Sequence, residues 1–436
     1  MKKILLISFL ILSCVPKSPD LKELKDQEEV ITVSKAANLK KLKDQGKIVT
    51  AAKSANLKKL KDQEETITAL NFDLKKSIYE LPKMAGSGGA LAQVEADNLV
   101  LASADADFFY VDIENKSITP EYLPDIDLNI KSFETSVFVH YKETPPRIHD
   151  LIFAADNFFY CAADFYDPKV DRLRFIVLKI KKGQKQWKTI YQSPFLDVHY
   201  FALGSGGKLA YDEKSQRLYF SVGDFSLDRI NHLPSDIAPQ NNNLPWGKIN
   251  YLDLKNNSFH VYSIGHRNPQ GLTILKNGQL ISSEHGPYGG DEINLIEEGK
   301  NYGWPYVSYG TFYGTHEKYS SKLGKLGKLP SNLVFTGPIY SFVPSVAASS
   351  IYEVTNFDAE WENDLLLGSL KASSLFHLKY VDGKIIYSEP IDVKHRIRDF
   401  KIVGDSIVIL TDKPYLLILK KIVNPIPVDD KNGREG

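Results

Sequence analysis

Short runs of alternating apolar and polar residues fill the chain from residue 77 to residue 424 and are separated by turn residues. The runs come in pairs, such as "NLVLAS" with "FFYVDI" and "GKLAYD" with "RLYFSVGD". Alternation with a period of two is typical of half-buried β-strands, and turns such as "KNGQ" and "VDGK" favour hairpins. Roughly twenty such strands are too many for one sandwich. They predict an all-β fold in which four-stranded sheets repeat around an axis, a β-propeller.

An 18-residue repeat precedes these strands and begins at Leu21, Leu39 and Leu57. Because an α-helix has about 3.6 residues per turn, one repeat makes five turns and places equivalent leucines on one helix face. The apolar stripe is thin among lysines and acids. It predicts a polar spacer over 15–76 that is helical or disordered, with a partner-binding coiled coil as the alternative.

The first 14 residues, "MKKILLISFLILSC", have a basic start and a short apolar run, which is the pattern of a signal peptide. A cysteine that closes the apolar run is similar to a bacterial lipobox, so Cys14 is the predicted lipid anchor of an exported cell-envelope protein. Ordinary cleavage and secretion as a free protein is the alternative. Cys161 stands in an apolar run and is predicted to be a small buried residue. The last residues, 425–436, have the composition of a disordered tail.

The overall charge narrows the function classes. The chain has 54 Lys and Arg against 54 Asp and Glu, so its formal net charge is zero. Proteins that bind nucleic acid usually have a basic excess, which argues against nucleic acid as a partner. Of the 436 residues, 43% are hydrophobic, which is enough for one large core.

Glycine-rich and polar motifs are concentrated in the second half of the chain. They are "GHRNPQGL" (265–272), "EHGPYGGDEINLI" (284–296) and "NYGWP" (301–305). Glycines let main-chain groups approach a ligand closely, and carbonyl oxygens outside a strand ladder suit a hard cation such as calcium. A tight connection between two blades is the alternative interpretation.

Cationic residues alternate in "VKHRIRDF", where Lys394, Arg396 and Arg398 are two positions apart. One face of a strand would hold all three, which is unfavourable unless they are solvated or surround an anion. Arg267 and Lys371 are further candidates for binding that anion. An exposed edge strand explains the alternation as well.

These motifs, followed by "GSLK" and "RIRD", resemble in their order the soluble glucose/sorbosone dehydrogenase family, over about residues 204–415. The resemblance implies a six-bladed β-propeller over 77–424 that uses pyrroloquinoline quinone (PQQ) and calcium. It also implies oxidation of the C1 hydroxyl of an aldose sugar to a lactone by hydride transfer to the quinone. A sugar and an electron acceptor would then be the partners.

The resemblance also implies roles for individual residues. Arg267 and Asn268 would contact the reactive carbonyl edge of the quinone, and Arg267 would stabilise the developing oxyanion. The other implied cofactor contacts are Lys371, Arg396 and Arg398 to the quinone carboxylates, and His285 and Asp291 in the glycine-rich loop. The implied metal ligands are the carbonyls of Gly286 and Pro287 for a catalytic calcium, and Glu292 and Tyr302 for a second one.

The position of the proton acceptor departs from the family pattern. Family members have a histidine three residues before the glycine that opens a strand, here Gly207, and this chain has Gly204 at that position. His199 is the predicted replacement base, and His232 is a second candidate. A propeller that binds a quinone, a sugar or a protein without turnover is one alternative. A calcium-dependent lactonase or esterase is another.

Overall fold

The computed structural model describes residues 54–60, 64–82, 88–95, 98–120, 122–135, 145–196, 204–225, 237–313, 315–321 and 334–422. They belong to one compact unit, Ser54–Gly436. Strands begin within the third repeat: β1 (Ala55–Asn56), β2 (Lys58–Lys59), β3 (Glu65–Thr68) and β4 (Asp73–Glu80). A short α-helix, α1 (Ile130–Glu134), and a 3-10 turn at Ala238–Gln240 interrupt the strands that follow, and residues 319–321 are also helical. No helix in these described ranges is both long and apolar enough to cross a bilayer.

The first three blades are antiparallel sheets of consecutive strands. Blade 1 consists of β5 (Ala90–Glu95), β6 (Asn98–Ala102), β7 (Phe108–Asp112) and β8 (Ser117–Thr119), with β1 on its outer edge. Blade 2 consists of β9 (Ile148–Phe153), β10 (Phe158–Asp167), β11 (Arg172–Lys181) and β12 (Lys188–Gln192). Blade 3 consists of β13 (Gly206–Asp212), β14 (Arg217–Val222), β15 (Lys248–Asp253) and β16 (Ser258–Ile264).

Blades 4 and 5 follow the same plan, and blade 6 combines strands from both ends of the propeller sequence. Blade 4 consists of β17 (Pro269–Ile274), β18 (Leu280–Glu284), β19 (Asp291–Ile296) and β20 (Tyr340–Phe342). Blade 5 consists of β21 (Ala348–Glu353), β22 (Leu365–Ser369), β23 (Ser374–Val381) and β24 (Lys384–Asp392). Blade 6 consists of β25 (Ile397–Val403), β26 (Ser406–Thr411), β27 (Tyr415–Lys421) and, from the start of the chain, β4 with β2 and β3 on its edge.

The six sheets form a closed six-bladed propeller, which confirms the predicted fold class. The inner strands contact one another in the order β5, β9, β13, β17, β21 and β25, and β25 returns to β5. Apolar clusters fill the spaces between neighbouring blades. Each predicted hairpin is also present, for example the pairing of β6 with β7 and of β26 with β27. The prediction for Cys161 is confirmed as well, because this residue is fully buried in an apolar cluster and burial raises the pKa of its thiol.

The third repeat contradicts the predicted spacer where it is described. Strand β4 pairs with β27 over seven residues and so closes the ring, and β3 pairs with the other edge of β4. Leu57 and Ile67, each 7% exposed, lie in the apolar core rather than on a solvated helix. The propeller therefore begins near residue 54 and not at residue 77. The physical reason is that β4 needs a partner on its outer edge, and the repeat supplies it.

We expect Ile67→Asp to lower the free energy of unfolding by about 2–4 kcal/mol, because it places a charge in the core between blades 5 and 6. Thr66→Asp is the matched control, since Thr66 is exposed on the same strand, and its effect is expected to stay within about 0.5 kcal/mol. Denaturant unfolding measures both. Equal effects of the two variants would restore the interpretation as a solvated spacer.

A buried set of charges lies where the inner strands approach the axis. Lys208 Nζ is 3.5 Å from Asp150 Oδ1 and 4.0 Å from Asp399 Oδ1, although all three residues are buried. Burial opposes ionisation of Asp399, but Lys208 and Lys401 outweigh it and lower the pKa of this carboxyl to about 2. This set joins blades 2, 3 and 6, and so stabilises the ring beneath the loops described next.

Candidate active site

The loops that lead into the inner strands meet at one end of the ring and are joined by hydrogen bonds. The Gly206 amide donates to Asn268 Oδ1 at 3.1 Å, which joins blade 3 to blade 4. The Val346 and Ala347 amides donate to Asp291 at 2.9 and 2.6 Å, which joins blade 5 to blade 4. Polar side chains from several blades are therefore held together at this end of the propeller.

Arg267 and Asn268 come from the "GHRN" motif directly before β17. Arg267 Nη1 donates to the carbonyls of His285 and Gly286 at 3.1 and 2.9 Å, and its guanidinium lies 5.4 Å from the Trp304 ring. Asn268 is 8% exposed, and its Nδ2 lies 3.5 Å from His285 Nδ1. The sequence prediction placed these three polar residues in one site, and the structure brings them together.

His285 is held as a neutral imidazole. Burial lowers its pKa to about 4, Asp291 opposes this shift, and the cations Arg267 and Arg398 add to it. Its Nε2 has no well-oriented hydrogen-bond partner in the described part of the chain. A neutral imidazole with an unused nitrogen next to two arginines can hydrogen-bond a polar ligand.

Asp291 is placed differently from the prediction. Its carboxylate accepts from the Gly286 amide at 3.0 Å and from the Ser345 hydroxyl at 2.8 Å, besides the two amides of the 346–347 turn. The side chain is fully buried beneath the loops. Asp291 therefore fixes the glycine-rich loop, and its carboxylate is already engaged by protein donors.

The alternating cations separate into two groups. Strand β25 begins at Ile397, so Lys394 and Arg396 precede it and the predicted single strand face is wrong. Lys394 has a left-handed backbone (φ 61°) and pairs with Glu65 at 2.5 Å, away from the arginines. Arg396 and Arg398 instead share Asp412, at 2.8 and 2.7 Å. Arg396 also donates to the carbonyl of Leu370, which places it next to Lys371, whose side chain is exposed.

Arg147, directly before β9, is a cation of this site that the sequence analysis missed. Burial lowers the pKa of its guanidinium, and Arg398 lowers it further, while Asp164 and Asp412 oppose the shift. Arg147 therefore lies within electrostatic reach of Arg398 and Asp412. Arg147 directly precedes an inner strand, as Asn268 does, and this position in the sequence could have identified it as a site residue.

The four predicted metal-binding residues, Gly286, Pro287, Glu292 and Tyr302, line one cavity of about 20 Å³ together with Glu284. Such a volume holds a single water molecule or ion. Burial and, to a smaller extent, the neighbouring Glu284 raise the pKa of Glu292 to about 8. A cation would favour the ionised form of this pair. The phenol of Tyr302 already donates to the Leu295 carbonyl, so its main chain is the part left for a metal.

The two carbonyl oxygens predicted to bind the catalytic calcium accept hydrogen bonds from side chains of the site. The Gly286 carbonyl accepts from Arg267, and the Pro287 carbonyl accepts from the Tyr313 hydroxyl at 2.8 Å. Both oxygens lie outside any strand ladder. No group of three His, Cys, Asp or Glu side chains in the described ranges has a metal-binding arrangement. The donors that fit calcium here are therefore these carbonyls and the buried Glu284–Glu292 pair.

A serine, a histidine and a glutamate form a hydrogen-bonded chain beneath the site. Ser263 Oγ is 2.8 Å from His266 Nε2, and His266 Nδ1 is 2.7 Å from Glu284 Oε1. Serine hydrolases use this order of groups, but their serine is open to the substrate. Ser263 is 1% exposed, so these residues stabilise the "GHRN" loop and offer no nucleophile.

The sequence and the fold are both similar to those of known proteins of one family. The sequence profile described as "Glucose / Sorbosone dehydrogenase" matches residues 153–418, which is more than half of the chain. The chain belongs to the glucose/sorbosone dehydrogenase family. Among curated relatives, the aldose sugar dehydrogenase YliI of Escherichia coli is 32% identical over 164 residues, 37% of this chain and 43% of that protein. The quinoprotein glucose dehydrogenase B of Acinetobacter calcoaceticus is 29% identical over 231 residues, 38% of this chain and 48% of that protein.

The matches span less than half the length of these two family members. Solved structures of the family match more of the chain. The apo aldose sugar dehydrogenase of E. coli covers 80% of it with a TM-score of 0.62 at 20% identity. The PQQ-bound aldose sugar dehydrogenase of Streptomyces coelicolor covers 80% with a TM-score of 0.55 at 19% identity. At these identities the likeness shows the shared propeller fold.

Gly204, the position at which this member of the family lacks a histidine, opens toward Asp224. A Cβ atom there would lie 3.3 Å from Asp224 Oδ1 and 3.9 Å from Asn268 Cγ, so a side chain would point into the site. The backbone of Gly204 has a φ of 106°, which side chains other than glycine rarely adopt. The loop is therefore shaped for glycine, and a histidine could not simply be restored without strain.

His149 is packed beneath Gly207, and the two histidines predicted as bases lie outside the described residues. His149 Nε2 is 2.9 Å from Asp164 Oδ2, and its ring lies against Phe175. A Cβ at Gly207 would lie 2.3 Å from the Cβ of His149, so this glycine makes room for the imidazole. His199 and His232 lie outside the described residues, as does Cys14 with the predicted signal peptide and the tail 425–436.

Proposed function

We propose that this protein is a PQQ-dependent aldose sugar dehydrogenase that oxidises the C1 hydroxyl of a sugar to a lactone. Membership of the glucose/sorbosone dehydrogenase family supports sugar oxidation in general. The observation that carries the quinone is the meeting of Arg147, Arg267, Arg396 and Arg398 at one end of the ring. Asp412 neutralises part of this positive charge, and the carboxylates of the quinone would complement the rest.

The arginines would hold the cofactor by charge-assisted hydrogen bonds. Arg396 and Arg398 both donate to the Asp412 carboxylate, which fixes their orientation, and their remaining N–H groups would donate to the quinone carboxylates. Lys371 would add a further cation at the rim. Arg267 lies over the glycine-rich loop, where it would donate to the developing oxyanion.

Calcium would bind at the carbonyls of Gly286 and Pro287, and a second ion at Glu292 and the main chain of Tyr302. Held by these residues, calcium and the quinone would supply a Lewis acid and a hydride acceptor. The residues of this chain would position the sugar, exclude water and take up the hydroxyl proton.

His199 is our proposed proton acceptor. The described chain resumes at Gly204, five residues after His199, and a side chain at 204 would point to Asp224 and Asn268. We propose that the imidazole of His199 occupies the space that Gly204 leaves. The neighbouring Asp224 carboxylate would then stabilise the imidazolium.

The setting we propose is the bacterial cell envelope, with Cys14 lipidated and the propeller held near a membrane. The reduced cofactor would pass its electrons to a quinone or a cytochrome.

A non-catalytic function is the alternative, and the observation that favours it is that Gly204 replaces the family's histidine. In that alternative the propeller binds a quinone, a sugar or a protein without turnover.

We expect the purified full-length chain, incubated with calcium and PQQ, to acquire quinone absorbance and a higher melting temperature. Ligand that binds only the folded state raises its stability, by about 2.7 kcal/mol at a hundredfold excess over Kd. Absorbance spectroscopy and thermal unfolding measure both. Dye reduction with aldoses then separates the dehydrogenase from the binding protein. A melting temperature unmoved by high micromolar PQQ would refute both quinone-binding alternatives.

A further inference from the structure

The outer edge of β4 is occupied by the third repeat. Residues 65–68 pair with residues 73–76 in antiparallel register, with Thr66 opposite Lys75. Upstream, residues 58–59 pair with the same edge, and the Leu60 amide donates to the Ile78 carbonyl. The repeat therefore runs along this edge as one interrupted strand.

Both burial and charge hold the repeat in place. Leu57, Ile67 and Ala69 are at most 7% exposed. Leu57 lies in the cluster between blades 6 and 1, and Leu60 packs against the cluster that contains Ile67 and Ala69. Glu65 pairs with Lys394 at 2.5 Å and with Lys76 at 2.7 Å. These two lysines lower the pKa of Glu65 to about 2, and the Lys76 side chain is only 3% exposed. The edge thus requires apolar residues at four positions and a carboxylate at a fifth.

The first repeat meets all five requirements. Its residues at the equivalent positions are Leu21, Leu24, Glu29, Ile31 and Val33. The second repeat matches the apolar positions but reverses the charge, with Leu39, Leu42, Lys47, Val49 and Ala51. Docking the second repeat would set Lys47 against Lys76 and Lys394, which leaves a buried lysine unpaired.

We propose that the outer edge of β4 is an exchangeable docking site whose second occupant is the first repeat of the same chain. The third repeat has the advantage of proximity, because residues 69–72 connect it to β4 in a tight turn. The first repeat closes a loop of residues 33–72, about ten times longer, which disfavours it roughly thirtyfold. It is therefore a minor occupant until the third repeat is weakened.

This exchange changes the reach of the N-terminal segment. With the third repeat docked, residues 15–56 precede the first docked leucine, whereas residues 15–20 precede it when the first repeat is docked. The propeller would be held closer to residue 14 in the second arrangement. Strand addition to a sheet edge requires only matching side chains, and the tandem copies provide them.

Disulfide trapping in the full chain tests the exchange. With Cys14→Ser in every variant, Lys75→Cys is combined with Thr66→Cys, Val30→Cys or Ile48→Cys to report the third, first or second repeat. Residues opposite each other on paired strands are close enough for a disulfide. In the natural background we expect the first repeat to cross-link roughly thirtyfold more slowly than the third, and the second repeat more slowly still.

A charge reversal gives the decisive comparison. Glu65→Lys is expected to raise cross-linking of the first repeat at least tenfold, and Glu65→Gln, which is milder for the fold, to raise it less. Lys47→Glu should let the second repeat cross-link, and Glu29→Lys should stop the first. Melting temperatures verify folding. If neither Glu65→Lys nor Glu65→Gln changes the cross-linking rate of the first repeat, the proposal is overturned. Cross-linked dimers on a non-reducing gel overturn the same-chain occupant in favour of a second copy.

Discussion

Replacing Arg396 and Arg398 together by alanine is expected to weaken PQQ binding at least about 100-fold, because each lost charge-assisted hydrogen bond is worth about 1.5–3 kcal/mol. The fold should lose much less than the affinity does. Arg396 is 53% exposed, so its contact with Asp412 stabilises the protein only weakly. Arg398 is 17% exposed, and its loss leaves the Asp412 carboxylate without either arginine, so a modest decrease in melting temperature is expected. Titration followed by quinone absorbance measures the affinity, and thermal unfolding without the cofactor measures the fold.

Arg217→Ala is the matched control for this double variant. Arg217 lies on β14 of blade 3, where its guanidinium is 4.5 Å from the Tyr251 ring, outside the proposed site. Loss of one arginine there should leave PQQ affinity unchanged. If the double variant loses stability in proportion to its loss of affinity, then Arg396 and Arg398 are structural residues and the cofactor site lies elsewhere.

His199→Ala is expected to reduce dye reduction with aldoses by about 10²–10⁴-fold, the range that a positioned general base contributes. PQQ should stay bound, because the proposed cofactor contacts come from other residues. The rate at saturating sugar and the quinone absorbance of the same sample measure the two effects. A variant that loses turnover but keeps the cofactor separates proton transfer from binding.

His149→Gln is the comparison for His199→Ala. His149 is packed against Phe175 and paired with Asp164, so we expect a lower melting temperature and a turnover within a few-fold of the natural chain. A large loss of turnover in this variant, with His199→Ala fully active, would transfer the role of base to His149. Full activity in both would exclude imidazole from either position as the proton acceptor.

Local sequence was sufficient for the hairpins and for the central loops. Strand pairs such as β6–β7 follow from alternation and turn residues, which act between neighbours in the chain. Arg267, Asn268 and His285 also came together as predicted from their motifs. Asp291 instead accepts hydrogen bonds from the main-chain amides of the 346–347 turn, which engage its carboxylate. No sequence pattern reveals these hydrogen bonds.

The sequence by itself determined that this protein is a propeller of paired strands with a glycine-rich loop and several cations. Only the tertiary structure decided which cations meet. Closure of the ring brings Arg147 from blade 2 within reach of Arg398 from blade 6, and it sends Lys394 outward to Glu65. Closure also turned the third repeat into edge strands, because β4 pairs with β27 at the opposite end of the chain. Period and composition describe one segment at a time, whereas the partner of a strand edge or of a charge is set by residues hundreds of positions away.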